Sequence, residues 1–208
     1  MKPSPQGRVL WVLLVLVCVG VAAYLALRHR LFSPGQPDLA NPATHRTNLV
    51  LQAGSWRLSG TTNLFTGLLV DTYEAGSRKS LTPVSNGLLH GVSRGWYTNG
   101  QQQVEEHYSA GTSHGLRTKW HLNGQKLSEV TIVDGKLEGT FQRWDERGAL
   151  TEEIEMKAGQ PDGVSRSFYP SGSIKADALL KRGQLVENHQ WKDGEKAPPS
   201  AQPAASKR

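Results

Sequence analysis

The stretch DGKLEGTFQRWDERG at 134–148 recurs in outline as NGLLHGVSRGWYTNG at 86–100 and as AGQPDGVSRSFYPSG at 158–172. Laid over one another, they place Gly67, Gly91, Gly115, Gly139 and Gly163 at one phase of a 24-residue period. Gly76, Gly100, Gly124, Gly148 and Gly172 hold a second phase, and Gly87, Gly111, Gly135, Gly159 and Gly183 a third. Fifteen of the 22 glycines thus lie on three positions of one unit, so repetition decides the architecture. Asn99-Gly100, Asn123-Gly124, Arg147-Gly148 and Ser171-Gly172 mark one turn of each unit. Ala110-Gly111, Asp134-Gly135, Ala158-Gly159 and Arg182-Gly183 open a second, which Gly115, Gly139 and Gly163 are expected to close, with Glu187 in the degenerate last unit. Glycine accepts positive φ, and Asn-Gly and Asp-Gly are strong hairpin signals. The roughly 8–10 residues between turns have the length of strands. Each unit is therefore two strands and two turns.

Alternation points the same way. First-strand positions on one side read Val92, Arg94, Trp96; Leu116, Thr118, Trp120; Thr140, Gln142, Trp144; and Val164, Arg166, Phe168. Second-strand positions read Val104, Glu106, Tyr108; Ser128, Val130, Ile132; Glu152, Ile154, Met156; and Ala176, Ala178, Leu180. The intervening residues, such as Glu105, His107 and Ser109, are polar. The expectation is an all-β, elongated, twisted antiparallel meander with one apolar face and one wet face. The repeat domain spans 63–194, with a capping strand in 49–62 around Leu49, Leu51, Trp56 and Leu58.

The quoted stretches resemble MORN-type repeats in the variant form of bacterial YwqK-like antitoxin-family proteins. The Tyr-x-Gly core of the usual MORN consensus is absent. The resemblance implies an elongated antiparallel sheet and says little about a partner beyond an antitoxin-like role.

Ahead of the repeats, Val9 to Leu27 run for 19 residues without a charge. At about 1.5 Å rise per residue, a helix of this length approaches the ~30 Å hydrocarbon core of a bilayer. Trp11 and Tyr24 sit where interfacial rings belong. The segment 1–30 is read as a single-pass transmembrane helix and its flanks, a signal-anchor with the repeat domain outside the cytoplasm. A cleaved signal peptide ending near Val21-Ala22-Ala23 is the alternative. Residues 31–48, with three prolines, read as a linker, and 195–208, rich in Pro, Ala and Ser, as a disordered tail.

The formal charge of +6 would suggest nucleic acid if it lay on the folded part. It does not: residues 1–30 and the tail carry all of it, and 31–194 balances 17 basic against 17 acidic residues. One cysteine, Cys18, excludes an intrachain disulfide. His90, His114, Glu138 and Asp162 share one phase and are the right types for zinc. Positions two strands apart are roughly 10 Å from each other, too far to share an ion, so they read as polar residues of turns. His107, Ser109 and His121 lack a third orienting group. Neither a catalytic constellation nor a cofactor is expected. The side chains left to carry function are Trp96, Trp120, Trp144 and Phe168, either a core packed on itself or anchors for a partner, since Trp is enriched in binding hot spots. Tyr97 and Tyr169 form a lesser candidate surface on the other side. A protein partner is expected first, with a glycan or lipid contact at the cell envelope as the alternative.

Overall fold

A computed structural model describes residues 43–197. The expected membrane helix at 9–27 lies outside them. Within them no helix is long and apolar enough to cross a membrane. Among the described residues fifteen strands follow in chain order. They open with β1 (Ala43–His45), a 3-10 turn at Arg46–Asn48, β2 (Leu49–Gln52), β3 (Ser55–Leu58), β4 (Gly67–Thr72) and β5 (Arg78–Ser85). Next come β6 (Leu88–Leu89), β7 (Gly91–Trp96), β8 (Gln102–Ser109), β9 (Thr112–Trp120) and β10 (Lys126–Val133). The last five are β11 (Lys136–Trp144), β12 (Leu150–Lys157), β13 (Gln160–Phe168), β14 (Ile174–Lys181) and β15 (Gln184–Gln190). From β4 on, the main sheet is an antiparallel meander in chain order, with β6 paired to β5. Its twelve-strand path is roughly 50 Å wide at ~4.8 Å per strand.

The N-terminal end differs from the sequence expectation. The stretch read as linker contains β1, which pairs in parallel with β4 (Ala43↔Leu68, His45↔Val70). The expected capping strand is a hairpin, β2–β3, that forms a sheet of its own. Leu49 of this hairpin buries Phe65, Leu69 and Val84, with Trp56 and Leu89 packed alongside. A terminal unit must cover its open apolar end, and here a hairpin provides the cover.

The two turns of each unit are built differently. Ala110-Gly111, Asp134-Gly135, Ala158-Gly159 and Arg182-Gly183 have positive φ at both residues, the two-residue type I′ geometry. The loop from Tyr97 to Gln101 has positive φ only at Gly100, with Gly100 N donating to Tyr97 O and Tyr97 N to Gln101 O. That is a type I turn followed by a left-handed glycine, and it recurs around Gly124, Gly148 and Gly172. Gly115, Gly139 and Gly163 do not close a turn. The two-residue turn already reverses the chain, and these glycines sit inside β9, β11 and β13 near register shifts. A Cβ on Gly115 would meet His107 Cβ at 3.0 Å, and one on Gly163 would meet Glu155 Cβ at 2.8 Å. Ala110 and Ala158 hold φ of 47° and 51° without the side chain that makes this region favourable. Ala110→Asn and Ala158→Asn are each expected to stabilise the fold by about 0.5–1 kcal/mol. Urea denaturation of the single and double variants checks this, with additivity expected across the two separate turns.

The expected single apolar face is corrected. The two-residue turn pairs Ser109 with Thr112, so odd-numbered positions of β8 share a face with even-numbered positions of β9. Arg94 is therefore opposite Glu105, Glu105 opposite Thr118, and Thr118 opposite Glu129. The tryptophans share their face with the acids that the sequence reading set on the wet side. Val130 and Ile132, paired with Arg117 and Gly115, lie on the opposite face. Each face is consequently half apolar, and burial is dispersed. Leu69, Val84, Val130 and Ile132 are buried on one side, and Leu68, Val92, Phe168 and Ile174 on the other.

Candidate binding surface

Trp96, Trp120 and Trp144 end β7, β9 and β11, where the strand enters the five-residue turn loop. Side chains on one strand alternate between faces, so each ring shares a face with the residue two before it: Arg94, Thr118 and Gln142. All three are half-buried, and Lys126 Nζ lies 5.1 Å from the Trp144 ring centroid while Arg78 lies 5.4 Å from that of Trp96. Phe168, the fourth member of the column, is only 8% exposed. It packs with Ile174 under Leu150, Trp191 and Ala197, so residues after β15 cover the column at that end. Ala197 belongs to the stretch read as a disordered tail; residues 198–208 lie outside the described residues.

Beside the rings runs a row of charged and polar groups in register across the sheet. Arg94 Nε donates to Glu105 at 2.8 Å, Lys126 Nζ to Glu129 at 2.8 Å, and Gln142 Nε2 to Glu153 at 3.0 Å. Thr118 Oγ1 adds a bond to Glu129 at 3.4 Å, and Arg166 Nη1 one to Glu153 at 3.4 Å. Each carboxylate is thus held from a neighbouring strand, and Glu153 from both. Glu105, Glu129 and Glu153 are 24 residues apart, so the row has the same period as the rings.

A second periodic series was legible in the sequence and was not read from it. Tyr73 Oη donates to Trp96 O, Tyr97 Oη to Trp120 O, and Tyr169 Oη to Trp191 O, at 2.8, 2.8 and 3.1 Å. His121 Nε2 serves Trp144 O at 2.9 Å. At four of the five positions of this phase a side chain is thus tied to the backbone of the next unit's aromatic residue. Tyr97 and Tyr169 are therefore joints between units, not a separate surface. Asp145 holds the same phase without a donor, and its carboxylate accepts from Arg147 N and Ala149 N within its own loop. The signal was the phase itself: Tyr, Tyr, His, Asp, Tyr at one spacing.

The series with zinc-like composition has a comparable task. His90 Nδ1 accepts from Ala110 N, His114 Nδ1 from Asp134 N and Glu138 Oε2 from Ala158 N. Thr66 Oγ1 does the same for Asn86 N one unit earlier. These bonds accompany a backbone ladder in which Gly87, Gly111, Gly135, Gly159 and Gly183 donate to carbonyls 22 residues before them. Among the described residues no group of three His, Cys, Asp or Glu is placed to hold a metal.

On the opposite face Glu106 accepts from Ser113 Oγ at 2.6 Å and from Arg117 Nη2. Burial alone would raise its pKa, but the bonds from Arg117 and Ser113 and the Arg117 charge outweigh burial and hold it below the ordinary 4.5. Tyr108 is raised, by burial and by the adjacent Glu106 charge. A depressed carboxylate contributes stability that is present above its unfolded pKa and is lost as pH falls through its folded one. Glu106→Gln is expected to cost about 1 kcal/mol at pH 7. It should also flatten the stability profile below about pH 4.5, where the native chain loses this contribution. Denaturation midpoints from pH 7 to pH 3 test both.

Residues 89–110 and 161–181 match the model of the MORN repeat variant, and the two matches begin three periods apart. The match is to the repeat and assigns no subfamily. No curated protein matches the sequence. Among solved structures, a glycine-to-arginine mutant of S. aureus TarM in complex with fondaparinux, α-GlcNAc-glycerol and UDP is 14% identical, at a TM-score of 0.32. That likeness covers 47% of this chain and 20% of TarM. A second TarM structure is 15% identical over 47% of this chain and 19% of that one, at the same TM-score. The matched segment spans about a fifth of TarM.

Proposed function

We propose that this chain, two stretches of which match the MORN repeat variant, is a non-catalytic binding module held at a membrane by residues 9–27. It recognises its partner across the face that carries Trp96, Trp120 and Trp144. The observation that carries the reading is that three large rings, at one phase and on one face, stay half-buried while Phe168 at the end of their column is covered. Aromatic side chains in this state are typical anchors of a binding surface. The histidines support it from the other direction, since His90, His114 and His121 are engaged with backbone groups of neighbouring units. The apolar run has the length of a bilayer span, and the repeat domain extends outside the cytoplasm.

Site-specific photo-crosslinking in intact cells tests the surface. Thr131 lies on the tryptophan face and Lys119 on the other, and both are exposed. A crosslinker at position 131 should give discrete adducts, lost when Trp120→Ala and Trp144→Ala are combined; one at 119 should not. Equal labelling from both faces, or adducts indifferent to the two substitutions, would remove the reading.

A further inference from the structure

We propose that the tryptophan face is a binding site for an extended, neutral, β-1,4-linked polysaccharide; this rests on the reading of that face as the binding surface. Strands ~4.8 Å apart put equivalent positions of successive units roughly 10 Å apart. Successive sugars of an extended β-1,4 chain are turned over relative to each other, so one ring face and one hydroxyl edge recur once per disaccharide, at nearly that pitch. Sugar rings offer patches of C–H groups that stack on indoles, and hydroxyls that bond to acids and amides. Both partners are present in register. Trp120 lies beside Thr118 and Glu129, and Trp144 beside Gln142 and Glu153. The bonds from Lys126 to Glu129 and from Gln142 to Glu153 fix each carboxylate before any ligand arrives, which lowers the cost of ordering the site.

Charge selects among ligands. Three carboxylates, Glu105, Glu129 and Glu153, are matched on this face by three cations, Arg94, Lys126 and Arg166, so the row carries no net charge. A polyphosphate, a nucleic acid or an anionic lipid surface would find no excess of positive charge there, since each cation is already paired, whereas a neutral glycan needs none. Trp120 is the central ring, and among the described residues no cation lies over it, so it anchors the chain. The sheet twists by roughly 20° per strand, which limits a straight ligand to about three units. The site therefore accommodates about six sugars, two for each tryptophan.

The test uses the full chain in a polyoxyethylene detergent, which avoids glycoside head groups. Cello-oligosaccharides and β-1,4-linked N-acetylglucosamine oligomers of two, four and six sugars are titrated, read by tryptophan fluorescence and calorimetry. One series should bind, with affinity rising at least tenfold from two sugars to six. Trp120→Ala should weaken the hexamer at least tenfold and Glu129→Gln about fivefold, while Lys119→Ala on the opposite face changes nothing. Circular dichroism confirms that each variant is folded. The proposal is overturned if neither hexamer binds, if length has no effect, if Trp120→Ala leaves binding intact, or if phosphatidylserine vesicles bind more tightly than either hexamer. Should the glycans fail while position 131 still crosslinks to a protein in a Trp120-dependent way, the glycan assignment falls and the binding-module reading stands. If both fail, both readings fall.

Discussion

Ile132→Ala is expected to destabilise the domain by about 3 kcal/mol, the middle of the range for deleting a buried isoleucine side chain. Ile132 is 1% exposed, the most completely buried large side chain among the described residues. It stands on β10 between Gly115 of β9 and Leu137 of β11. Truncation would leave a cavity there, because the backbone on both sides is held by ladder hydrogen bonds. For a domain of this size the loss corresponds to a melting temperature lower by roughly 10 °C. The control is Leu122→Ala, whose side chain is 56% exposed and which should stay within about 0.5 kcal/mol of the parent. Thermal and urea denaturation of both variants gives the comparison. A cost below 1 kcal/mol for Ile132→Ala would mean that the middle of the sheet is not packed as described.

Gly87→Ala is the second large effect, about 2–3 kcal/mol, and it should be local. Gly87 has φ of 77°, which an alanine adopts only under strain. Its new Cβ would stand 3.0 Å from Trp56 O, 2.9 Å from Leu64 Cδ2 and 3.1 Å from Ser55 Cβ. The backbone there is fixed from both sides, since Gly87 N donates to Phe65 O and Gly87 O accepts from Trp56 N. Relief requires the β2–β3 hairpin to lift away from Phe65, Leu69 and Val84. Because repeat units contact mainly their neighbours, β9 to β14 should keep their own stability. Hydrogen exchange separates the two regions: amide protection at Trp56 should fall sharply while that at Ile132 and Ile154 is retained. Uniform loss along the chain would show that the hairpin is coupled to the whole sheet. At Gly111, where the nearest atom to a new Cβ is a Leu88 methyl carbon at 3.3 Å, alanine should cost less.

The candidate surface was partly legible in advance. The column of Trp96, Trp120, Trp144 and Phe168 follows from the period alone, and alternation puts its members on one side of their strands. Its chemistry was not legible, because the companions of each ring come from the neighbouring strand. Glu105 and Glu129 were set on the far side from the tryptophans, yet each belongs to their row through a pairing with Thr118. The unequal cover of Phe168 and Trp120 was also out of reach, since it depends on where Ala197 and Trp191 pack.

The 24-residue period by itself determined that this chain makes a β meander of two-strand units, because glycines at fixed intervals allow reversals only at fixed places. It also located the asymmetry at the ends, where the pattern decays. Only the tertiary structure decided which face each residue occupies. A strand carries its side chains alternately up and down, and a single residue gained or lost at a turn or bulge exchanges the two sets. The two-residue turns fix that count through φ angles and hydrogen bonds, and the irregularities at Gly115 and Gly163, which set four residues against two, preserve it; the order of residues does not spell this out.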